Sequence, residues 1–240
     1  MLVEVCANSL QSALNAEKAG ADRIELCSEL AVGGITPSYG LLKAVSEKIS
    51  IPVRVLIRPR SGDFTYSDEE LNIMKRDIAF CSELGFDGIV SGVLHSNFVI
   101  DANRNMELMA VASNLKFTFH RAFEWVQDPF RALQWLEESG VDTLLTSGQR
   151  KTAIEGMELL VDLQEKASGT TIMPGSGIHA DNARLFKERG FKAIHLSASR
   201  MHQNIQNEPK FGLNSPSMLS DDSVPISSFE AIQEVIKAVK

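Results

Sequence analysis

Two Glu-x-Cys pairs near the start of the chain are the residues best suited to metal chemistry. Glu4 and Cys6 belong to one apolar run, and Glu25 and Cys27 repeat the pattern in the next. Thiolates are soft ligands that select Cu(I) over magnesium or calcium, and histidine or methionine can complete such a site. Structural zinc commonly needs four protein ligands, which the sequence does not offer together. The alternative is two small thiols packed in a core, because buried cysteines are common.

A second candidate is the stretch 54–64, where two arginines lie on one face of a predicted strand. Arg54 and Arg58 alternate with apolar residues, and Arg60 and Asp63 follow in a loop that contains glycine. Two guanidinium groups on one strand face are a poor choice for an apolar core, because a buried charge is costly unless it is paired. This stretch therefore predicts that the strand holds an anion or a buried carboxylate. Because Arg58 lies at the end of the strand, it is the better functional candidate of the two.

Further polar residues follow later predicted strands. His120 and Arg121 come at the end of the fifth, a Pro-Gly-Ser-Gly turn follows the seventh, and Ser197 ends the eighth. Barrels often bind phosphate after their last two strands. These residues predict an alternative function, an enzyme that acts on a small anionic or phosphorylated metabolite. Its catalytic candidates are Glu25 as a base, Arg58, His120 and Arg121, and its anion-binding candidates are Gly175, Gly177 and Ser197.

Eight short β-rich runs alternate with helical patterns along the chain. The predicted strands are residues 3–6, 23–27, 53–58, 88–94, 116–120, 143–146, 171–173 and 193–197. Eight regular βα units predict a single (β/α)8 TIM barrel over residues 1–240, with a long loop at about 201–226 and a C-terminal helix at about 227–239. An open doubly wound sheet is the rival fold. It is disfavoured because no G-x-G-x-x-G follows the first strand.

The outer face of each barrel strand packs against helices and must be apolar, so alternation indicates which side chains point inward. The inward set is Glu4, Cys6, Glu25, Cys27, Arg54, Arg58, His120 and His195. Since buried charges need partners, we expect Glu–Arg pairs here, with Arg54 neutralising Glu4 or Glu25. Neighbouring strands lie about 4.8 Å apart, so Cys6 and Cys27 at one level could share an ion near the C-terminal mouth.

Composition limits the function classes. The 240 residues carry a formal charge of −7 and show no basic cluster, so we expect no nucleic-acid partner. We also expect no membrane partner, because no stretch is long and apolar enough to span a bilayer and no secretion signal is recognised at the N-terminus. The three cysteines are an odd number, which indicates a reducing cytoplasm rather than a disulfide framework. A homo-oligomer is compatible with a barrel.

Several motifs together resemble the CutC family of copper homeostasis proteins. They are Glu-Val-Cys at 4–6, Ala-Asp-Arg-Ile-Glu-Leu-Cys at 21–27, Gly-Gly-x-Thr-Pro-Ser at 33–38, Ile-Arg-Pro-Arg-x-Gly-Asp-Phe at 57–64, Phe-His-Arg-Ala-Phe at 119–123, Leu-Thr-Ser-Gly at 145–148 and Met-Pro-Gly-x-Gly-Ile at 173–178. The resemblance covers residues 1 to about 200. It implies a TIM barrel, a cytoplasmic location and a role in copper handling. In family members for which Cu(I) binding has been proposed, the cysteines match Cys6 and Cys27. The expected partner is thus a copper ion or, in the alternative function, a small anionic ligand.

Overall fold

In the computed structural model, which describes residues 1–207, 210–213 and 221–240, eight parallel strands form a barrel. The strands are β1 (Leu2–Ala7), β2 (Arg23–Leu26), β3 (Val53–Leu56), β4 (Gly88–Ser91), β5 (Lys116–Phe119), β6 (Thr143–Thr146), β7 (Thr171–Pro174) and β8 (Ala193–Leu196). Their order around the sheet is β7-β6-β5-β4-β3-β2-β1-β8, and a bridge between Gly175 and His195 brings β7 to β8. The predicted TIM barrel is confirmed.

The helices cover the outside of the barrel. They are α1 (Leu10–Ala19), α2 (Tyr39–Lys48), α3 (Asp68–Glu83), α4 (Ala102–Val111), α5 (Pro129–Glu138), α6 (Met157–Lys166), α7 (Ala180–Glu188) and α8 (Phe229–Val239). Capping residues in the local sequence explain where several of these helices begin. The Ser67 hydroxyl and the Glu70 carboxylate form a capping box at α3, and Asp128 caps α5 with Pro129 in its first turn.

The main apolar core lies between the strands and the helices. Outward-facing residues of the first strands, such as Val5, Ile24 and Val55, are fully buried there. The inside of the barrel is different, because charged and polar side chains from several strands fill it. Glu4, Glu25 and Arg54 are at most 5% exposed, so these groups must satisfy one another without water.

The register of the first two strands differs from the expected one. Glu4 lies opposite Arg23 and Cys6 lies opposite Glu25, so the two Glu-x-Cys pairs are offset by two residues. The prediction that Cys6 and Cys27 share one level is therefore wrong. The physical reason is that closing a sheet into a barrel requires a stagger between neighbouring strands, which side-chain alternation does not reveal.

The segment after β8 departs from the predicted long loop at both of its ends. Strands β9 (Ser199–Gln203) and β10 (Ser223–Ser227) pair antiparallel as a separate two-stranded sheet. The rest of the predicted loop includes residues 208–209 and 214–220, which lie outside the described residues. The predicted C-terminal helix is present as α8, with Ser228 as its N-cap. Within the described ranges, no helix has the length and apolar character required to cross a membrane.

Candidate functional site

The two cysteines of the Glu-x-Cys pairs meet at the C-terminal mouth of the barrel. The Sγ atoms of Cys6 and Cys27 are 3.4 Å apart, and both residues are free thiols. Cys6 belongs to β1, and Cys27 directly follows β2. The side chains of Leu56 and Val90 pack with the two cysteines in a small apolar cluster inside the mouth. The strand stagger thus brings the thiols together on a diagonal rather than side by side.

A glycine backbone closes over this cysteine pair. Gly34 has φ +86°, a left-handed conformation that favours glycine. A Cβ at this position would lie 2.6 Å from Cδ2 of Leu56 and 3.6 Å from Sγ of Cys27. The loop after β2 therefore lies directly against the cysteine pair and leaves no room for a side chain there.

A chain of buried polar contacts links the cysteines to the centre of the barrel. Nε2 of His195 lies 3.2 Å from a Glu25 oxygen, and its Nδ1 lies 2.9 Å from a Glu4 oxygen. Glu4 in turn forms an ion pair with Arg23. One ligand atom each from Cys6, Glu25 and His195 lies within 4.8 Å of the other two, a spacing that allows all three to contact one metal ion.

Burial and mutual charge set the protonation of this network. Burial opposes ionisation of Glu4, but the charge of Arg23 and the hydrogen bond from His195 bring its pKa down to about 2. Burial raises the pKa of Glu25, and it opposes the charged form of His195, whose pKa is nevertheless raised by the two carboxylates. The hydrogen bond to Cys27 and burial raise the pKa of Cys6 well above its usual value. Glu4 is thus the firmly ionised member of the network.

Arg54 does not have the predicted role. Its Nη1 donates to the hydroxyls of Thr118 and Thr143 at 2.7 and 3.1 Å, and its Nε lies 3.5 Å from a carboxylate oxygen of Asp87. Within the described ranges, no ion pair joins it to Glu4 or Glu25, so that prediction is wrong. The reason is that Arg23, which the strand register places beside Glu4, already supplies the neutralising charge.

Arg58 is held by backbone carbonyls. Its Nη1 donates to the oxygens of Val32 and Gly34 at 2.7 and 2.9 Å, and its Nη2 donates to Gly62 at 2.7 Å. The guanidinium group therefore joins the loop after β2 to the loop after β3. Arg60, in the same loop as Gly62, pairs with Glu70 at 2.5 Å and with Asp63 at 3.2 Å.

His120 and Arg121 have separate surroundings. Nδ1 of His120 accepts a hydrogen bond from the Ala122 N–H at 3.3 Å, and burial together with the Arg58 charge lowers the pKa of His120 to about 3. Arg121 is half-exposed and donates to Glu124 and Ser147 at 3.2 and 3.0 Å. Among the described residues, no hydrogen bond or ion pair joins Glu25 to Arg58, His120 or Arg121. The four catalytic candidates therefore do not form one constellation.

The anion-binding candidates lie at the mouth, after β7 and β8. The N–H of Gly175 donates to the Thr146 carbonyl at 3.0 Å, so it takes part in strand pairing. Gly177 has φ +71°, which suits a tight turn. The hydroxyl oxygens of Ser197 and Ser199 are 3.3 Å apart. The Gly175 N–H is thus already used in strand pairing, and anion binding by these three residues stays a prediction.

Comparison with known proteins decides the family. A sequence profile of the CutC family matches residues 1–200. The chain belongs to the CutC family. A CutC family protein from Salmonella agona is 45% identical over 197 residues, 82% of this chain and 79% of that protein. A CutC family protein from Pectobacterium atrosepticum is 41% identical over 239 residues, covering 99% of this chain and 94% of that protein.

A solved structure supports the same assignment. It is described as the copper homeostasis protein CutC from Streptococcus agalactiae, and it is 36% identical to this chain with a TM-score of 0.78. The match covers 82% of this chain and 98% of the Streptococcus chain. All the candidate site residues of this CutC protein, from Cys6 to Ser197, lie within the range of the family profile. The predicted family resemblance is confirmed.

The sequence does not single out two residues of this chain, Arg23 and Glu124, and it assigns no partner to a third, His195, although all three positions matter. Arg23 is in phase with Glu25, so alternation alone could have placed it inside the barrel. His195 was expected to point inward but was given no partner. Neither strand alternation nor a recognised motif points to Glu124. Its carboxylate accepts the N–H groups of Ser147 and Gln149 at 2.6 and 2.8 Å and occupies the loop after β6.

Proposed function

We propose that this CutC protein binds Cu(I) through Cys6 and Cys27 and acts in copper homeostasis. The observation that carries the proposal is the 3.4 Å separation of the two Sγ atoms at the barrel mouth. Two sulfur ligands this close can contact one ion after small rotations of the side chains. The family name and the description of the Streptococcus protein support a copper role.

The donor set favours Cu(I) over the commoner metals. Thiolates are soft ligands and suit a soft monovalent ion, whereas magnesium and calcium require sets of oxygen ligands. Structural zinc is almost always held by four clustered ligands, whereas the group of mutually close donors among the described residues has three members, Cys6, Glu25 and His195, and Cys27 lies outside that group although its sulfur is near that of Cys6. His195 is the nearest candidate for a third Cu(I) ligand, and one of its two ring nitrogens first has to exchange its carboxylate contact for the metal.

Protonation and compartment both bear on the proposal. Because the pKa of Cys6 is raised, Cu(I) has to displace the Cys6 thiol proton on binding, which thiolate-seeking ions do readily. The proposal includes a cytoplasmic location, because a reducing compartment keeps both cysteines available as thiols.

An anaerobic competition titration against a colorimetric Cu(I) chelator tests this function. The wild-type protein should remove one equivalent of Cu(I) from the chelator. The Cys6→Ser, Cys27→Ser double variant should remove none, because serine oxygen is a hard ligand. Cys81→Ser is the matched control, since Cys81 is also buried but lies in α3 within the main core. Equal Cu(I) uptake by the double variant and the wild type would overturn the proposal.

A further inference from the structure

A group of buried donors without partners lies next to the cysteine site but is separate from it. Among the described residues, the buried side-chain atoms without a hydrogen-bond partner include Nε of Arg58, Oη of Tyr66 and Nε2 of His120. Each of these residues is at most 5% exposed. Buried polar atoms are nearly always paired, so three orphans in one region require an explanation.

The three atoms belong to one neighbourhood. The Phe64 ring is close to two of these residues: its centre lies 5.0 Å from Cζ of Arg58 and 4.8 Å from the centre of the His120 ring. Burial lowers the pKa of His120 to about 3 and raises that of Tyr66 to about 12, and the Arg58 charge acts on both groups. Arg58 is therefore the common neighbour of the other two.

All three orphan atoms are donors. Nε of Arg58 always carries a hydrogen, and Tyr66 keeps its hydroxyl proton near neutral pH. Nδ1 of His120 accepts the Ala122 N–H, so the single proton of the neutral ring lies on Nε2. A set of three buried donors next to a positive charge is complementary to the oxygens of an anion.

An aromatic wall extends from this donor set toward solvent. The Trp125 ring lies 4.9 Å from Phe64, and the Phe98 ring lies 5.7 Å from Trp125. These aromatic residues come from the segments after β3, β4 and β5. Trp125 is 42% exposed and Phe98 is 43% exposed. The wall therefore presents an apolar, ring-binding surface beside the donors.

We propose that the mouth of the barrel above β3 to β5 binds a small organic anion. Its carboxylate or phosphate oxygens accept from Arg58, Tyr66 and His120, and its ring or apolar body packs on Phe64 and Trp125. The site uses neither cysteine, so it goes beyond the Cu(I) proposal and does not depend on it.

Tryptophan fluorescence provides the test. The chain contains two tryptophans, so a Trp135→Phe background leaves Trp125 as the reporter. Titration with phenyl phosphate should change the Trp125 emission in a saturable manner. Inorganic phosphate and phenol, which each present only one half of the ligand, should bind at least tenfold more weakly.

Tyr66→Phe separates a binding role from a structural one. The hydroxyl makes no well-aligned hydrogen bond among the described residues, although the Arg58 side chain lies close to it, so its removal should leave the unfolding midpoint nearly unchanged. In the same background, the variant should bind phenyl phosphate about tenfold more weakly, through loss of one hydrogen bond to a charged acceptor. The matched control is Tyr39→Phe, because Tyr39 lies in α2 and is 65% exposed.

The binding experiments either support or overturn the anion site. Weaker binding in Tyr66→Phe with unchanged binding in Tyr39→Phe supports the site, as does phenyl phosphate binding that persists in the Cys6→Ser, Cys27→Ser double variant. Equal affinity in the two tyrosine variants overturns the proposal. It is also overturned if phenyl phosphate produces no saturable change at millimolar concentration, because ordered water then suffices to satisfy the three donors.

Discussion

The ion pair between Arg23 and Glu4 lies inside the barrel, where the side chains are 8% and 0% exposed. An isolated carboxylate at this depth would lose its hydration without compensation. Arg23 supplies that compensation, and its Nη2 also contacts the Met173 sulfur at 3.5 Å. Removal of the guanidinium therefore leaves a buried negative charge beside the site.

We predict that Arg23→Met lowers the free energy of unfolding by about 3–5 kcal/mol, because breaking one side of a buried pair leaves the other charge unpaired. Chemical denaturation monitored by circular dichroism measures the change. Arg184→Met is the matched control, since Arg184 pairs with Glu188 at 2.9 Å on an exposed helix face. That change should cost less than about 1 kcal/mol. Similar losses in the two variants would contradict the structural role of Arg23.

At this scale, alternation predicts the inward-facing residues of the first, second and eighth strands. Glu4, Cys6, Glu25, Cys27 and His195 contact one another inside the barrel, as the apolar phase of their strands indicates. Their partners could not be predicted, because partner identity depends on the stagger between strands and on long side chains that cross the barrel. This explains why alternation alone predicts the wrong partners for Arg54 and does not reveal that Arg23 pairs with Glu4.

At the scale of elements, a carboxylate at the end of α5 holds the loop that leads into β7. Glu137 accepts the N–H groups of Ser168, Gly169 and Thr170, at 3.0, 3.0 and 2.7 Å. Partial burial opposes its ionisation, but these donors and the Ser168 hydroxyl lower the pKa of Glu137 to about 2. The carboxylate thus connects two βα units at the end of the barrel opposite the mouth.

We predict that Glu137→Gln destabilises the protein by about 1 kcal/mol at pH 7. The carboxylate accepts several hydrogen bonds, but each contributes less than in a buried site because solvent screens the charge. A carboxyl group whose pKa is lower in the folded state stabilises that state above its unfolded pKa of 4.5, and the contribution is lost as the pH falls toward 2. Denaturation series from pH 7 to pH 2 should therefore show the wild type and the variant converging at low pH.

Glu138→Gln is the control for this series. Its carboxylate is exposed and bonds only the Gln134 side chain within its own helix among the contacts described. The substitution should change stability by less than about 0.5 kcal/mol. A difference between wild type and Glu137→Gln that stays constant down to pH 2 would rule out the carboxylate as the cause.

Elements themselves were more predictable than their contacts. The eight strands follow the predicted runs because each combines β-forming residues with a flanking turn. The pairing of β9 with β10 was not predicted, since β9 is mostly polar and Pro225 lies within β10. Proline is tolerated there because β10 pairs on one side only within its two-stranded sheet.

At the scale of the whole molecule, the segment after residue 200 completes the barrel that the family profile covers. Helix α8 packs against α1 and α7. The Ser227 hydroxyl donates to the Cys6 carbonyl at 3.2 Å, and the Ser227 N–H donates to the Ser12 hydroxyl at 3.0 Å. The C-terminal segment therefore also holds the strand end that carries a candidate metal ligand.

We predict that Ile232→Ala in α8 lowers the free energy of unfolding by about 2–5 kcal/mol, because Ile232 is fully buried and the substitution leaves a cavity. Denaturant titration measures the loss. Ile73→Ala provides the comparison, since Ile73 is 49% exposed in α3. If the two substitutions had the same small effect, the C-terminal helix would not be an integral part of the barrel.

If Cys6 and Cys27 together hold Cu(I), both sulfur atoms must be bound to the copper. X-ray absorption at the copper edge, measured on the anaerobically loaded protein after gel filtration, identifies the ligand atoms. We expect two sulfur neighbours for each copper, unchanged in Cys81→Ser, and no retained copper in the Cys6→Ser, Cys27→Ser variant. A spectrum with only nitrogen and oxygen neighbours, or with two sulfurs still present in the double variant, would contradict it.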